Sequence, residues 1–164
     1  MNVDNYLYET ILESGIDLIL SLPCILLKGL LEIIDEKGEI QKIPITREEE
    51  GIGIAAGAYL GGRTPALLIQ NSGLGNSVNA IKSLLELYEI PIVFIMSHRG
   101  VEGEKIMAQI PMGQLTPRLL DLLNIKKYII DSLEKVIEIK NAVEFSKSSN
   151  KSVGILLKRE LWRK

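Results

Sequence analysis

Three consecutive glutamates, Glu48, Glu49 and Glu50, precede the apolar segment GIGIAAGAYLGG, which has no charged side chain. A carboxyl group at the edge of such dry surroundings can hold a proton near neutral pH, as a general acid or base must. The same acids could also be purely structural, because Thr46 with Glu49 three residues later forms a capping box, and acids in a first helical turn complement the helix dipole. Spacing alone favours the structural interpretation.

The glycine-rich segment QNSGLGN is a second candidate site. Gly73 and Gly75 flank Leu74 between a predicted strand and a helix that we expect to begin at about Asn76. A turn of this kind often binds phosphate through its backbone N–H groups. The spacing is that of neither a P-loop nor G-x-G-x-x-G, so the phosphate signal is weak. A tight turn capped by Asn76 is the alternative explanation.

Both candidates lie in an alternation of helices and short apolar strands. Apolar or alternating patterns predict six strands, near residues 16–23, 39–45, 65–70, 90–97, 126–131 and 152–158. Such strands, separated by helices, indicate an α/β fold with a parallel sheet covered on both faces. Ligands of these sheets bind beyond the carboxyl ends of the strands, which here are followed by SLPC, ITREEE, QNSGLGN and SHRG.

Two segments next to these strands have unusual compositions. The predicted helix over residues 47–60 is rich in glycine, and each glycine costs about 1 kcal/mol relative to alanine, so we expect another backbone or a flat ligand against it. Residues 98–114 show no clear period and are predicted to form a long loop. Residues 116–124, TPRLLDLLN, predict a short helix with Pro117 in its first turn.

Composition argues against several classes of protein. The 164 residues favour one domain, and the net charge of −2 argues against a nucleic-acid-binding protein, which usually has a basic face. The single cysteine, Cys24, excludes an intrachain disulfide and is typical of a reducing cytoplasm. No apolar run reaches the ~18 residues of a membrane span, and the start lacks the basic region of a signal peptide. We therefore expect a cytoplasmic protein.

The motifs resemble those of a known family. Residues 46–100 resemble the pyrimidine-binding domain of thiamine-diphosphate-dependent decarboxylases, within the phosphonopyruvate and sulfopyruvate decarboxylase group. An acid about nine residues before the glycine of AAGAY, followed by QNSGLGN, carries this resemblance. The segments SLPCILLKGL and GQLTPRLLDLL extend it to most of the chain. It implies that residues 1–164 form one pyrimidine-binding domain.

The resemblance assigns the catalytic role to Glu48 and leaves Glu49 as the capping residue. In the family, this carboxyl group shares a proton with N1′ of the aminopyrimidine ring, which activates the cofactor for decarboxylation of a 2-keto acid. The turn that lies against the pyrimidine ring in relatives matches Gly73, Leu74, Gly75 and Asn76.

Substrate-binding residues are implied by position. Cys24 and Ile25 occupy the place where relatives carry an aspartate or serine near the substrate, although Cys24 also suits a small buried apolar residue. Gln109 lies in the loop where other members place a histidine or glutamine. Candidates for binding an anionic substrate group are Arg47, Arg99, Lys105 and Arg118. His98, the only histidine, is interpreted as a loop residue.

The chain has no G-D-G run, with which the family's second domain holds Mg²⁺ and the cofactor diphosphate. The resemblance therefore implies no metal ligand here and a beta subunit that supplies the Mg²⁺ and diphosphate site. Because the helix with GIGIAAGAYLGG and the glycine-rich turn have little polar surface, we also expect this chain to self-associate or to bind the beta subunit. Three functions remain open. They are decarboxylation of 3-sulfopyruvate in coenzyme M biosynthesis, decarboxylation of phosphonopyruvate or another 2-keto acid, and a non-catalytic binding module.

Overall fold

The computed structural model describes residues 2–162, which form one six-stranded sheet with the order β2-β1-β3-β4-β6-β5. All neighbouring strands are parallel. The strands are β1 (Leu18–Ser21), β2 (Gln41–Pro44), β3 (Pro65–Gln70), β4 (Val93–His98), β5 (Lys126–Ile130) and β6 (Val153–Lys158). The predicted fold class and all six predicted strands are confirmed.

Helices connect the parallel strands. They are α1 (Val3–Glu13), α2 (Lys28–Lys37), α3 (Glu48–Leu60), α4 (Gly73–Ala80), α5 (Ile110–Leu122) and α6 (Glu138–Ser149). A π-helical segment, Ile81–Glu86, continues α4, and a short 3₁₀ turn, Met107–Gln109, leads into α5. No helix in the described part of the chain is long and apolar enough to cross a membrane.

Two apolar cores lie on opposite faces of the sheet. Helices α1, α2 and α6 pack on one face through residues such as Ile11, Leu30 and Ala142. Helices α3, α4 and α5 cover the other, where Ile52 and Leu120 are fully buried. Side chains alternate between the faces of a strand, so an apolar strand can contribute to both cores at once.

Helix α5 begins earlier than the sequence predicted. Residues 98–114 were expected to form a loop, but the helix begins at Ile110, and Pro117 lies in its interior rather than in its first turn. An interior proline lacks the N–H that would bind the carbonyl of Gly113, four residues earlier. The Nε2 atom of His98 makes this hydrogen bond instead, at 2.9 Å.

His98 is therefore part of the fold rather than a loop residue. It is the last residue of β4 and is only 3% exposed. Because the Gly113 carbonyl can only accept, Nε2 of His98 carries the proton in this contact. His98 thus supplies the hydrogen-bond donor that Pro117 lacks, which explains how α5 tolerates the proline.

Candidate active site

The predicted site residues converge on the carboxyl edge of the sheet. The chain runs from β1 to β2 on one side and then returns to place β3 on the other side of β1. Ligands of open α/β sheets bind outside the carboxyl ends of the strands at such a switch point. The segments that follow β1, β2, β3 and β4 carry nearly all of the predicted site residues.

Burial distinguishes the three glutamates at the start of α3. Glu48 is 7% exposed, Glu49 is half-buried and Glu50 is exposed. The prediction that Glu49 caps the helix is wrong. Glu50 accepts hydrogen bonds from the backbone N and Oγ1 of Thr46, at 2.9 and 2.7 Å, whereas Glu49 pairs with Arg47 at 2.7 Å. The backbone hydrogen bond from Thr46 lowers the pKa of Glu50.

Glu48 lies against the glycine-rich turn. Nδ2 of Asn76 donates a hydrogen bond to Oε2 of Glu48 at 3.0 Å. A Cβ atom added to Gly73 would lie 2.3 Å from Cγ and 2.4 Å from Oε1 of Glu48, closer than any real side chain tolerates. The glycine at position 73 is therefore what allows the carboxyl group to reach this position.

The turn itself begins α4 sooner than predicted. The helix starts at Gly73, not at about Asn76, and Asn76 therefore binds Glu48 instead of capping the helix. Leu74 is fully buried in the core, whereas Gly75 and Asn76 are exposed. Of the four predicted turn residues, Gly73 and Asn76 are the two that lie against Glu48 at the start of α3.

A polar cluster, formed by Cys24, Gln70, Ser72, Ser97 and Gln109, lies at the switch point. Sγ of Cys24 is 3.1 Å from Oγ of Ser97 and 3.6 Å from Oε1 of Gln70. Nε2 of Gln70 donates to both Ser72 and Gln109 at 2.7 Å. Two predicted substrate residues, Cys24 and Gln109, thus meet through Gln70, which the sequence analysis missed although it ends a strand at this edge.

Two other predicted substrate residues have different surroundings. The side chain of Ile25 is 72% exposed and makes no contribution to the polar cluster. Arg99 is buried and paired with Glu104: its Nε and Nη2 atoms donate to the two carboxylate oxygens at 2.7 and 2.9 Å. This hydrogen bonding raises the pKa of Arg99 and lowers that of Glu104 well below its usual range.

Asn71 fixes the backbone next to this pair. Its Oδ1 accepts from the backbone N of Arg99 at 2.9 Å, and its Nδ2 donates to Oγ1 of Thr116 at 2.9 Å. Asn71, Glu104 and Thr116 were not predicted to contribute. The arrangement ties the end of β3 to the segment after β4 and to α5.

These residues fit the pyrimidine end of thiamine diphosphate. The acid that the ring requires is present and buried, and its carboxylate has one identified hydrogen-bond partner, Asn76. Gly73 provides the close approach, and exposed Gly75 leaves backbone accessible next to the acid. No group of three or more His, Cys, Asp or Glu side chains among residues 2–162 could hold a metal ion.

The comparisons with known proteins identify the class. Residues 1–125 match the family described as thiamine pyrophosphate enzyme, N-terminal TPP binding domain, and the chain belongs to this family. More narrowly, it is 50% identical over 163 residues to the sulfopyruvate decarboxylase subunit alpha of Methanococcus maripaludis, a match that covers 99% of this chain and 98% of the relative.

Longer relatives contain a similar segment. The sulfopyruvate decarboxylase of Methanosarcina acetivorans is 36% identical over 162 residues, which are 99% of this chain and 41% of that protein. The phosphonopyruvate decarboxylase of Streptomyces viridochromogenes is 38% identical over 117 residues, which are 71% of this chain and 30% of that protein.

A solved structure shares the fold. A 2-oxoglutarate:ferredoxin oxidoreductase from Magnetococcus marinus superposes with a TM-score of 0.71 at 10% identity, over 96% of this chain and 29% of that one. This likeness concerns the arrangement of strands and helices alone.

Proposed function

We propose that this chain is the pyrimidine-binding subunit of a thiamine-diphosphate-dependent decarboxylase that converts 3-sulfopyruvate to sulfoacetaldehyde and carbon dioxide, in coenzyme M biosynthesis. The match to the Methanococcus maripaludis alpha subunit supports the substrate, because it extends over nearly all of both chains. The observation that carries the chemistry is the buried Glu48 carboxylate, held by Asn76 at 3.0 Å against Gly73.

In this proposal Glu48 holds the proton that is shared with N1′ of the pyrimidine ring. Asn76 binds Oε2, which fixes the orientation of the carboxyl group and leaves Oε1 for the ring nitrogen. The apolar side chains of Ile52 and Leu74 are fully buried in the core on this face of the sheet and keep water away from that side of the acid. Thiamine diphosphate, when bound, supplies a carbon nucleophile for the keto carbon and an electron sink once carbon dioxide leaves.

We assign the Mg²⁺ and the diphosphate to a separate beta subunit, since this sequence has no G-D-G run. The longer Methanosarcina acetivorans relative supports this assignment, because this chain corresponds to only 41% of it and the rest has room for a second domain. The enzyme is assigned to the cytoplasm, where its single thiol, Cys24, stays reduced.

The outer face of α3 is the proposed contact with beta or with a second copy of this chain. An added Cβ at Gly53 or Gly57 would meet no atom within 4 Å, and the side chain of Leu60 is 74% exposed. A smooth apolar helix face of this kind suits close packing against another subunit.

Phosphonopyruvate is the alternative substrate, and the match to the Streptomyces viridochromogenes phosphonopyruvate decarboxylase favours it as the second candidate. Sulfonate and phosphonate are both tetrahedral oxyanions that an arginine could bind. In either case the polar cluster at the switch point, with Cys24, Gln70 and Gln109, is proposed to line the substrate site.

The test compares the purified chain alone with the chain co-purified with its beta partner. Each is given Mg²⁺, thiamine diphosphate and either 3-sulfopyruvate or phosphonopyruvate, and carbon dioxide release is measured. We expect turnover of sulfopyruvate by the complex and none by the lone chain. Robust turnover by the lone chain would overturn the shared cofactor site, and a complex that prefers phosphonopyruvate would overturn the substrate. A complex that binds the cofactor without turnover of any 2-keto acid would indicate a binding module.

A further inference from the structure

The buried pair of Arg99 and Glu104 has no role in the function described so far. The two side chains are 9% and 4% exposed, and the guanidinium binds both carboxylate oxygens. Burying two charges is costly, and a well-packed apolar pair often serves stability equally well. The position of the pair at the carboxyl edge of the sheet therefore calls for a functional explanation.

Arg99 is the best placed of the four basic candidates. Arg47 is 71% exposed and pairs with Glu49, and both Lys105 and Arg118 are exposed. Arg99 directly follows β4 and lies two residues after Ser97, a member of the polar cluster. The hydrogen bond that it donates to Glu104 is the main cause of the raised pKa of Arg99, and the nearby Cys24 side chain adds to the same shift.

One edge of the guanidinium group lies outside the pair with Glu104. Glu104 occupies Nε and Nη2, and the Cys24 side chain of the polar cluster lies within reach of the same guanidinium group. Glu104 is itself held by the backbone N–H groups of Gly100 and Ile106, at 3.3 and 3.1 Å. The planar guanidinium is therefore fixed on one side, and its other side can bind a second oxyanion.

We infer that Arg99 recognises the sulfonate of the substrate through this other edge and that Glu104 is a positioning residue that also sets the charge preference of the site. The inference rests on the proposed function and names the specificity determinant within it. The Arg99–Glu104 pair has no net charge, so it recognises an oxyanion by hydrogen bonds rather than by excess positive charge. A sulfonate carries one negative charge, whereas a phosphonate approaches two near neutral pH and meets stronger repulsion from Glu104.

The test uses the complex with the beta subunit and measures kcat/KM for sulfopyruvate, phosphonopyruvate and pyruvate, which lacks the second anion. We expect Arg99→Lys to lower the ratio of sulfopyruvate to pyruvate by roughly 10- to 100-fold, since the planar fork is lost while the positive charge stays. We expect Glu104→Gln to shift the ratio of sulfopyruvate to phosphonopyruvate toward phosphonopyruvate by about tenfold or more.

Matched controls make the same chemical changes at other positions. Arg63→Lys, at an arginine paired with Asp17 at the amino end of the sheet, and Glu102→Gln should leave both ratios unchanged. The double variant Arg99→Met with Glu104→Leu removes both charges and leaves none unpaired in the interior, so it serves if either single variant fails to fold. It should lose the preference for sulfopyruvate over pyruvate.

The outcomes separate this inference from the function on which it rests. If the variants lose thermal stability but keep both substrate ratios, the pair only locks the segment after β4, and the inference is overturned. If the wild-type complex decarboxylates none of the three acids, the proposed function itself fails, together with the inference.

Discussion

Glu48, Glu49 and Glu50 are chemically identical, yet each has a different environment. Successive side chains on a helix point about 100° apart, so adjacent residues cannot share a direction. Glu48 points to the glycine-rich turn, Glu49 to Arg47, and Glu50 back to Thr46. Only one of the three is therefore positioned to exchange a proton with a ligand bound beside α4.

Replacing Glu48 by glutamine tests this assignment. Glutamine keeps the shape and the acceptor for Asn76 but cannot exchange a proton, so turnover by the complex should fall by about 10²–10⁴-fold or more while folding persists. The measurement is the rate of carbon dioxide release, with thermal melting as the check on folding. Glu49→Gln and Glu50→Gln are the controls. Glu50→Gln should lower the Tm slightly, through a weaker contact with Thr46, and leave turnover intact. Similar turnover in all three variants would contradict the assignment.

Helix α5 shows how one element depends on a side chain from another. Pro117 leaves the carbonyl of Gly113 without its usual backbone donor, and His98 of β4 supplies one. An unsatisfied buried carbonyl costs about 1–3 kcal/mol. The proline and the histidine should therefore be energetically coupled, although 18 positions separate them in the sequence.

A double-mutant cycle measures this coupling. His98→Leu should lower the free energy of unfolding by about 1–3 kcal/mol, because Gly113 loses its donor. In the Pro117→Ala background the same replacement should cost less, since the N–H of the new alanine can bind Gly113. Chemical denaturation of the four chains provides the values. Equal costs in both backgrounds would show that the hydrogen bond is not what makes His98 important.

Elements with a strong local signal could be predicted from the sequence, and those fixed by distant contacts could not. The six strands are short apolar or alternating segments between helical patterns, so their positions were evident. The start of α5 was missed because Pro111 and Gly113 are usual signals of a loop. A Cβ on Gly100 would lie 1.9 Å from the carbonyl oxygen of Gln109, so this glycine is set by a contact that no local pattern reveals.

The residues of the candidate site divide in the same way, into those with a recognisable sequence motif and those fixed by distant contacts. Glu48 and its turn were located through the family resemblance, and the structure joins them by a hydrogen bond. Glu104 was not found, because its partner Arg99 lies five residues earlier across a loop rather than at a helical spacing. Glu49 was wrongly chosen as the capping residue because the identity of that residue depends on where α3 begins. The helix begins at Glu48, and Glu50 binds Thr46.

The surface of the whole molecule carries a feature that its own fold does not require. Of the three glycines inside α3, only Gly51 packs tightly within the chain, where an added Cβ would lie 2.6 Å from Ile45. Gly53 and Gly57 face open space. Glycine in a helix is less stable than alanine, so these two residues support the subunit contact proposed for the outer face of α3.

Substitutions at Gly57 separate the two effects. Gly57→Ala should stabilise the isolated chain by about 0.4–1 kcal/mol, because it adds no clash and restricts the unfolded state. Gly57→Leu should weaken association with the beta subunit or with a second copy, as measured by sedimentation velocity. Gly53→Ala, at the other glycine of α3 that faces open space, is the comparison for the stability of Gly57→Ala. Gly38→Ala is unsuitable for this comparison, because Gly38 has a positive φ. Unchanged association of the leucine variant would place the contact elsewhere.

Stability should fall in two steps as the solution is acidified. Burial lowers the pKa of His98 below its ordinary value of 6.5, with Lys158 acting in the same direction and both Gly113 and Glu160 opposing it. Below about pH 6.5 the unfolded chain therefore binds a proton that the folded chain resists, and stability is lost. The hydrogen bond from Arg99 lowers the pKa of Glu104 below 4.5, so its contribution is present above that value and is lost at lower pH.

Calorimetric Tm values between pH 8 and pH 3 test this expectation. The step near pH 6.5 belongs to the only histidine, so the variant with His98→Leu and Pro117→Ala should lack it. Glu104→Gln should keep that step and reduce the one below pH 4.5. A wild-type Tm that stays constant from pH 8 to pH 5 would contradict the burial of a neutral His98.

The burial of Cys24 has a practical consequence. It is the only thiol of the chain, is 8% exposed and lies 3.1 Å from Ser97 at the switch point. A bulky disulfide reagent that releases a coloured product can reach this sulfur only when the surrounding loops open. The rate of colour formation therefore measures how often the loops open. No background from other thiols of the chain needs to be subtracted. A substrate analogue bound at the polar cluster should slow the reaction, and labelling as fast as that of a free thiol would show that the loops do not shield it.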